Sequence, residues 1–215
     1  MTDRSDARQL IALQRRLAQS VIEQDDLSRP VQLIAGVDAA FPDRGGTTRA
    51  AAVLMRYPDL EVIDQAVAQR PTSLPYIPGL LSFRELPAVL DAIEALSQTP
   101  DLVLCDGQGR AHPRRFGIAC HLGVETGLAT IGVGKSRLCG QHKEPGIAKG
   151  SAVDLVDGDD IIGRVIRSRH NVRPIFVSIG HRVDLDAAVN WTLACTTRYR
   201  LPEPIRRADR LAGQR

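Results

Sequence analysis

Apolar residues at Leu10, Leu13, Leu17 and Val21 recur at helical spacing among charged neighbours, which predicts an amphipathic helix over about residues 6–24. Three segments with strand character follow: VQLIAGVDAAF, AAAVLMRY and LEVIDQAVAQR. The turn sequences PDRGG and Pro58-Asp59 join them, so they are expected to be consecutive antiparallel strands. Leu86, Val89, Leu90, Ile93 and Leu96 then mark a second helix by their spacing of three and four. Beyond it, DLVLCDG has the pattern of a buried strand, a helix is expected near 115–126, and ATIGV is a further strand. Residues 140–150 have loop character. Strand pieces recur near 152–156, 160–167 and 174–179, and helices near 184–197 and 203–212 complete the chain. The order predicts an α/β protein with a mixed sheet flanked by helices.

Between the third strand and the second helix lies RPTSLPYIPGLLSFRE. Pro75 and Pro78 fix their own φ and disfavour helix in the residues before them, so Pro75, Tyr76, Ile77 and Pro78 should be stiff and extended. The 215 residues, 43% hydrophobic and 25% charged, suit one globular domain over 1–215, with the 203–212 helix as its tail. No apolar run reaches membrane-spanning length, and the N-terminal segment lacks the apolar core of a signal peptide, so a cytoplasmic protein is expected. Cys105, Cys120, Cys139 and Cys195 show no C-x-x-C spacing and are expected to be buried free thiols. A net charge of +3 hints weakly at a polyanionic partner, and the basic residues gather in GRAHPRRF, GKSRLCGQHK, GRVIRSRHNVR and RYRLPEPIRRADR. Charge alone does not separate nucleic-acid binding from an ordinary solvated surface.

Three acids stand out. Asp38 interrupts an apolar strand, where an unpaired carboxylate is costly unless it finds a partner, a metal or a raised pKa; the alternative is an edge strand that turns it to water. Asp106 ends DLVLCDG, and it is either a turn residue before Gly107 or a ligand at the end of a parallel strand. Glu85 fits a capping box with Ser82, but Pro87 weakens that account, and Glu85 also extends the stripe that faces the sheet. Brought together, the three would form an oxygen-rich cage suited to Mg²⁺ or Mn²⁺ rather than zinc, and hence to phosphodiester hydrolysis. Asp209 could be a fourth acid near a second ion, but on the sequence a solvated helix carboxylate paired with Arg206 is the favoured account.

ATIGVGKS resembles a phosphate-binding loop but has Ala129 where the pattern needs glycine, which argues against a nucleoside triphosphatase. Lys135 could still hold a phosphate or orient a nucleophile, and His112 could contact a phosphate or transfer a proton; a surface lysine and a packed turn histidine are the plain alternatives.

Taken together, AGVDAAF, PYIPGLLSFRE, DGQGRAHPRRFGIACHLG, IGVGKSRL and LPEPIRRAD resemble the endonuclease V family from about residue 30 to 210. The resemblance implies a ribonuclease H-like fold, in keeping with the element order, and Mg²⁺-dependent cleavage of the second phosphodiester 3′ to deoxyinosine, leaving 3′-hydroxyl and 5′-phosphate ends. It implies metal binding by Asp38, Glu85 and Asp106 and a catalytic role for Lys135. Asp209 falls where some members have histidine and others aspartate. Pro75, Tyr76, Ile77 and Pro78 match the wedge that separates strands. Gly79 and Leu81 match the lining of the pocket for the extruded base, Gly79 and Gly107 would let the backbone approach that base closely, and Gly109, with His112 in the matching DGQGxAHP segment, is expected in the same pocket. The implied partner is DNA containing deoxyinosine, duplex or single-stranded, bound by a monomer; inosine-containing RNA stays open.

Overall fold

The computed structural model describes residues 4–27 and 30–214. Among them the chain forms an eight-stranded sheet in the order β3-β2-β1-β4-β5-β8-β7-β6. The first three strands are β1 (Leu33–Ala40), β2 (Thr47–Arg56) and β3 (Glu61–Pro71), paired antiparallel as the turn sequences between them require. β4 (Leu102–Asp106) and β5 (Ala129–Gly134) continue from β1 in parallel, each reached through a helical crossover. β6 (Ala152–Asp157), β7 (Asp160–Ile166) and β8 (Ile175–His181) form a second antiparallel arm, joined through β8 to β5. The mixed sheet with helices on both faces is therefore the expected architecture.

Alternation along the central strands divides the core in two. Ala35, Val37, Val103 and Cys105 pack beneath α2 (Leu81–Glu94) and α3 (Ile118–Thr126). Ile34, Leu102, Leu104 and Ile131 face the opposite side, where α4 (Leu185–Ala194) and α5 (Glu203–Ala212) contribute Ala188 and Ile205. Gly36 allows α5 to approach β1 closely: a Cβ there would lie 2.1 Å from the carbonyl carbon of Pro204.

Two helix boundaries differ from the sequence reading. α1 runs from Arg4 to Leu17 and closes in a 3-10 turn at Ala18–Ser20, so the helix does not reach residue 24. Val21 is extended and packs into the core beneath α4 and α5, which explains its apolar character without a helix. α2 begins at Leu81 and runs through Pro87. Ser82 therefore lies inside the first turn, buried, and its hydroxyl meets His121 Nδ1 at 3.1 Å instead of capping the helix. Of the thiols, Cys105, Cys120 and Cys195 are buried as expected, but Cys139 is half-buried.

Candidate active site

β1 lies between β2 and β4, so Asp38 is not on an edge strand. In the parallel β1–β4 pair Val37 stands opposite Cys105, and Asp38 and Asp106 follow as the next residues at the carboxyl ends of both strands. Both continue the alternation that points Gly36 and Leu104 toward the α4/α5 face. α5, docked over Gly36, brings Asp209 to the same place. One carboxylate oxygen from each of Asp38, Asp106 and Asp209 lies within 4.8 Å of the others.

Glu85 falls outside that group. It belongs to α2, on the far side of the sheet, and its expected convergence on the two strand acids is an electrostatic proximity rather than a shared 4.8 Å cluster. Burial, then the neighbouring charges of Asp38 and Asp106, push its pKa up to about 8. Burial likewise raises Asp38, with Asp106 adding to the effect, and Ala39 N partly offsets this by donating to Asp38 Oδ1 at 2.8 Å. Asp106 is also raised, chiefly by burial, against the pull of Lys135.

Lys135, directly after β5, is the cation of the group. Its Nζ lies 2.5 Å from Asp106 Oδ2 and 2.6 Å from Asp209 Oδ1. Burial alone would lower its pKa, but the two carboxylates outweigh burial and the pKa rises. Arg200 Nη2 donates to the Lys135 carbonyl at 2.6 Å and holds the strand end in place. Asp209 is thus not paired with Arg206, whose guanidinium is taken by Glu203 at 2.7 Å. The donor set is carboxylate oxygen throughout, with no sulfur or imidazole, and it fits a hard divalent cation such as Mg²⁺ or Mn²⁺.

Beside the acids opens a pocket of 220 Å³. Tyr76, Gly79, Leu81, Glu85, Asp106, Gly107 and His112 line it, so acids and loop share one wall. That volume is below the range of about 300–1,000 Å³ typical for drug-sized ligands and suits something nearer a single nucleobase. Pro78 and Gly79 form a tight turn closed by Leu80 N donating to Ile77 O at 3.0 Å, with Gly79 at φ +77°. The turn follows Pro75 and leaves Tyr76 65% exposed at the rim while Ile77 is half-buried.

Several expected roles take a different form. Gly109 is not among the lining residues; its amide donates to Ser178 Oγ at 2.9 Å, which ties the loop to β8. His112 is 4% exposed, and burial lowers its pKa to about 4. Its Nδ1 accepts from Arg114 N at 3.1 Å, which places the proton of the neutral ring on the other nitrogen. The basic run around it is largely engaged inside the protein. Arg110 pairs with Glu23 and Asp160, Arg115 with Asp157 and Asp160, and Arg114 with Gln14. A second cleft carries more accessible cations: Lys135, Arg137 and Arg173 border 470 Å³ next to the acids.

Sequence reasoning missed Gln108, Ser136 and Leu138 in the pocket wall. Gln108 offered a signal, since it lies two residues past the strand acid Asp106 and its Nε2 donates to Ser136 O at 3.0 Å.

The endonuclease V family model matches residues 15–210. An endonuclease V from Alkalilimnicola ehrlichii is 58% identical over 203 residues, covering 93% of this chain and 89% of the relative. Among solved structures, endonuclease V from Streptomyces avermitilis superposes with a TM-score of 0.90 at 48% identity, covering 95% of this chain and 90% of that one. Endonuclease V from Ciona intestinalis, solved with a 23mer DNA containing an inosine followed by a ribo-adenosine, gives 0.86 at 27% identity, covering 98% and 96%.

Proposed function

This chain belongs to the endonuclease V family, and from that premise we propose that it is a Mg²⁺-dependent nuclease that nicks strands containing deoxyinosine. The cut is at the second phosphodiester 3′ to the altered base and leaves 3′-hydroxyl and 5′-phosphate ends. The observation that carries this reading is the meeting of Asp38, Asp106 and Asp209 within 4.8 Å beside a base-sized pocket rimmed by Tyr76. The Ciona relative held on inosine DNA supports DNA as the partner. We take residues 1–215 to act as one domain and as a monomer.

Asp38, Asp106 and Asp209 would hold the ion, with Glu85 beside them at the pocket wall; Mn²⁺ is a plausible substitute because it shares the preference for oxygen. When bound, Mg²⁺ supplies Lewis acidity at the phosphoryl oxygens and acidifies nearby water. Lys135 holds the Asp106 and Asp209 carboxylates in place and offers its ammonium to the scissile phosphate. Extruding a base costs a few kcal/mol of stacking and pairing, least for a base that pairs poorly, such as hypoxanthine opposite thymine. Tyr76 fills the vacated space, and the prolines on either side of the Tyr-Ile pair limit the ordering entropy of doing so. Gly79, Leu81 and Gly107 line the space for the extruded base.

The test is a nicking assay on a labelled inosine duplex with Mg²⁺, with EDTA, and on an inosine RNA of the same sequence. The expected result is one Mg²⁺-dependent nick that a DNA ligase seals directly, because its ends are a 3′-hydroxyl and a 5′-phosphate, with the RNA arm deciding the preferred sugar. Metal-independent binding without any nick would replace this reading with that of a non-catalytic inosine reader.

A further inference from the structure

Gln14 of α1 is fully buried. Its Nε2 donates to the carbonyl of Gly79 at 3.0 Å and to that of Phe116 at 2.7 Å, and its Oε1 accepts from Arg114 Nε. The carboxamide thus has both donors and its acceptor engaged, although a buried amide on a surface helix would be costly without such partners. Gly79 is where these bonds converge, since Arg114 Nη2 also donates to its carbonyl, at 2.5 Å. Gly79 and Gly117, the residue after Phe116, both line the pocket, while no residue of α1 does. Gln14 therefore joins two walls of the pocket from behind.

We propose that Gln14 is a positioning residue that sets the spacing of the base pocket by holding the Ile77–Leu80 turn against the Phe116–Gly117 wall. It lies just outside the segment matched by the family model, and the role rests on reading the 220 Å³ pocket as the seat of the extruded base. A carbonyl that accepts two such bonds cannot swing toward solvent without breaking both, so the turn that follows Tyr76 and leads into Leu81 is held at one width. Without Gln14 the acids are untouched, and the loss falls on how tightly an inosine strand seats.

Gln14→Leu keeps the volume and removes the polar atoms; Gln14→Glu keeps an acceptor for Arg114 and removes both donors. For both, KM on the inosine duplex should rise about 10-fold, as for loss of a buried hydrogen bond or two, with kcat within about twofold. Affinity for an undamaged duplex should not change. Amide hydrogen exchange of residues 76–81 should quicken while the amides of α1 stay protected. Unchanged exchange in that segment, or a fall in kcat at constant KM, overturns the proposal. So does an equal loss on inosine and undamaged duplexes together with a lower Tm, which would mark Gln14 as merely structural. If the wild-type protein fails to nick inosine DNA, the functional reading falls instead, and the exchange measurement still decides whether Gln14 holds the turn.

Discussion

Three carboxylates cannot be gathered at the end of two parallel strands without mutual repulsion, and Lys135 is where the folded chain offsets it, with Nζ between Asp106 and Asp209. Among the described residues Asp38 makes no ion pair; its carboxylate accepts from Ala39 N at 2.8 Å, and Lys135 is near enough to favour its charge. Asp38→Asn should therefore remove an ion ligand while leaving the strand intact. Nicking should fall by at least about 10²–10³-fold, with affinity for inosine DNA in Ca²⁺ retained; loss of both in a gel-shift titration would make Asp38 a structural acid. Tyr76 is exposed enough to change without disturbing the core, so Tyr76→Ala should weaken discrimination between mismatched and matched duplexes more than overall affinity, as read by competition binding. Asp38 stood out because it interrupts an apolar strand where a charge is costly, whereas Asp106, at a strand end before Gly107, could equally have been a turn residue. Asp209 was not legible, because its spacing from Arg206 suggests an ordinary helix pair. Only the folded chain shows Arg206 engaged by Glu203 and Asp209 turned to Lys135.

At the level of elements, the position of Asp209 depends on how α5 seats against β1. A methyl group at residue 36 would meet the Pro204 backbone at 2.1 Å, and backbone cannot yield as a flexible side chain does. Gly36→Ala should destabilise the protein by about 2–4 kcal/mol in a denaturant titration. Its nicking rate well below Tm should also fall, because the third carboxylate is displaced; full activity in the folded variant would show that α5 can shift without harm. The strands were readable from their alternation and turn residues. Helix limits were less so, since Pro87 argued against a helix starting as early as Ser82 and Val21 extended an apolar stripe past the end of α1. Glu85 could be placed on the sheetward stripe of α2, but which face each strand acid would take follows only from the register β1 adopts against β4.

Over the whole molecule, the raised pKa values of the acids make stability depend on pH. Glu85 moves from an ordinary carboxylate value near 4.5 to about 8 on folding. Below the lower value both folded and unfolded chains hold the proton; between the two the unfolded chain releases it while the folded chain retains it, so stability falls as pH rises through this window. Metal-free protein should melt at progressively lower temperature from about pH 5 to 8, and Glu85→Gln should raise Tm at pH 8 and change it little at pH 4. If the acids hold Mg²⁺ as proposed, the ion would bind their deprotonated form, so the rise in Tm that it produces should grow from pH 6 to pH 8.5. A flat Tm profile in EDTA, or an Mg²⁺ effect independent of pH, would contradict the electrostatic account.

The three clustered acids are drawn from positions 38, 106 and 209, and the last arrives on the final helix of the described chain. A divalent cation held by all three would therefore clamp α5 to the sheet, and its binding would report on whether that helix has docked against β1.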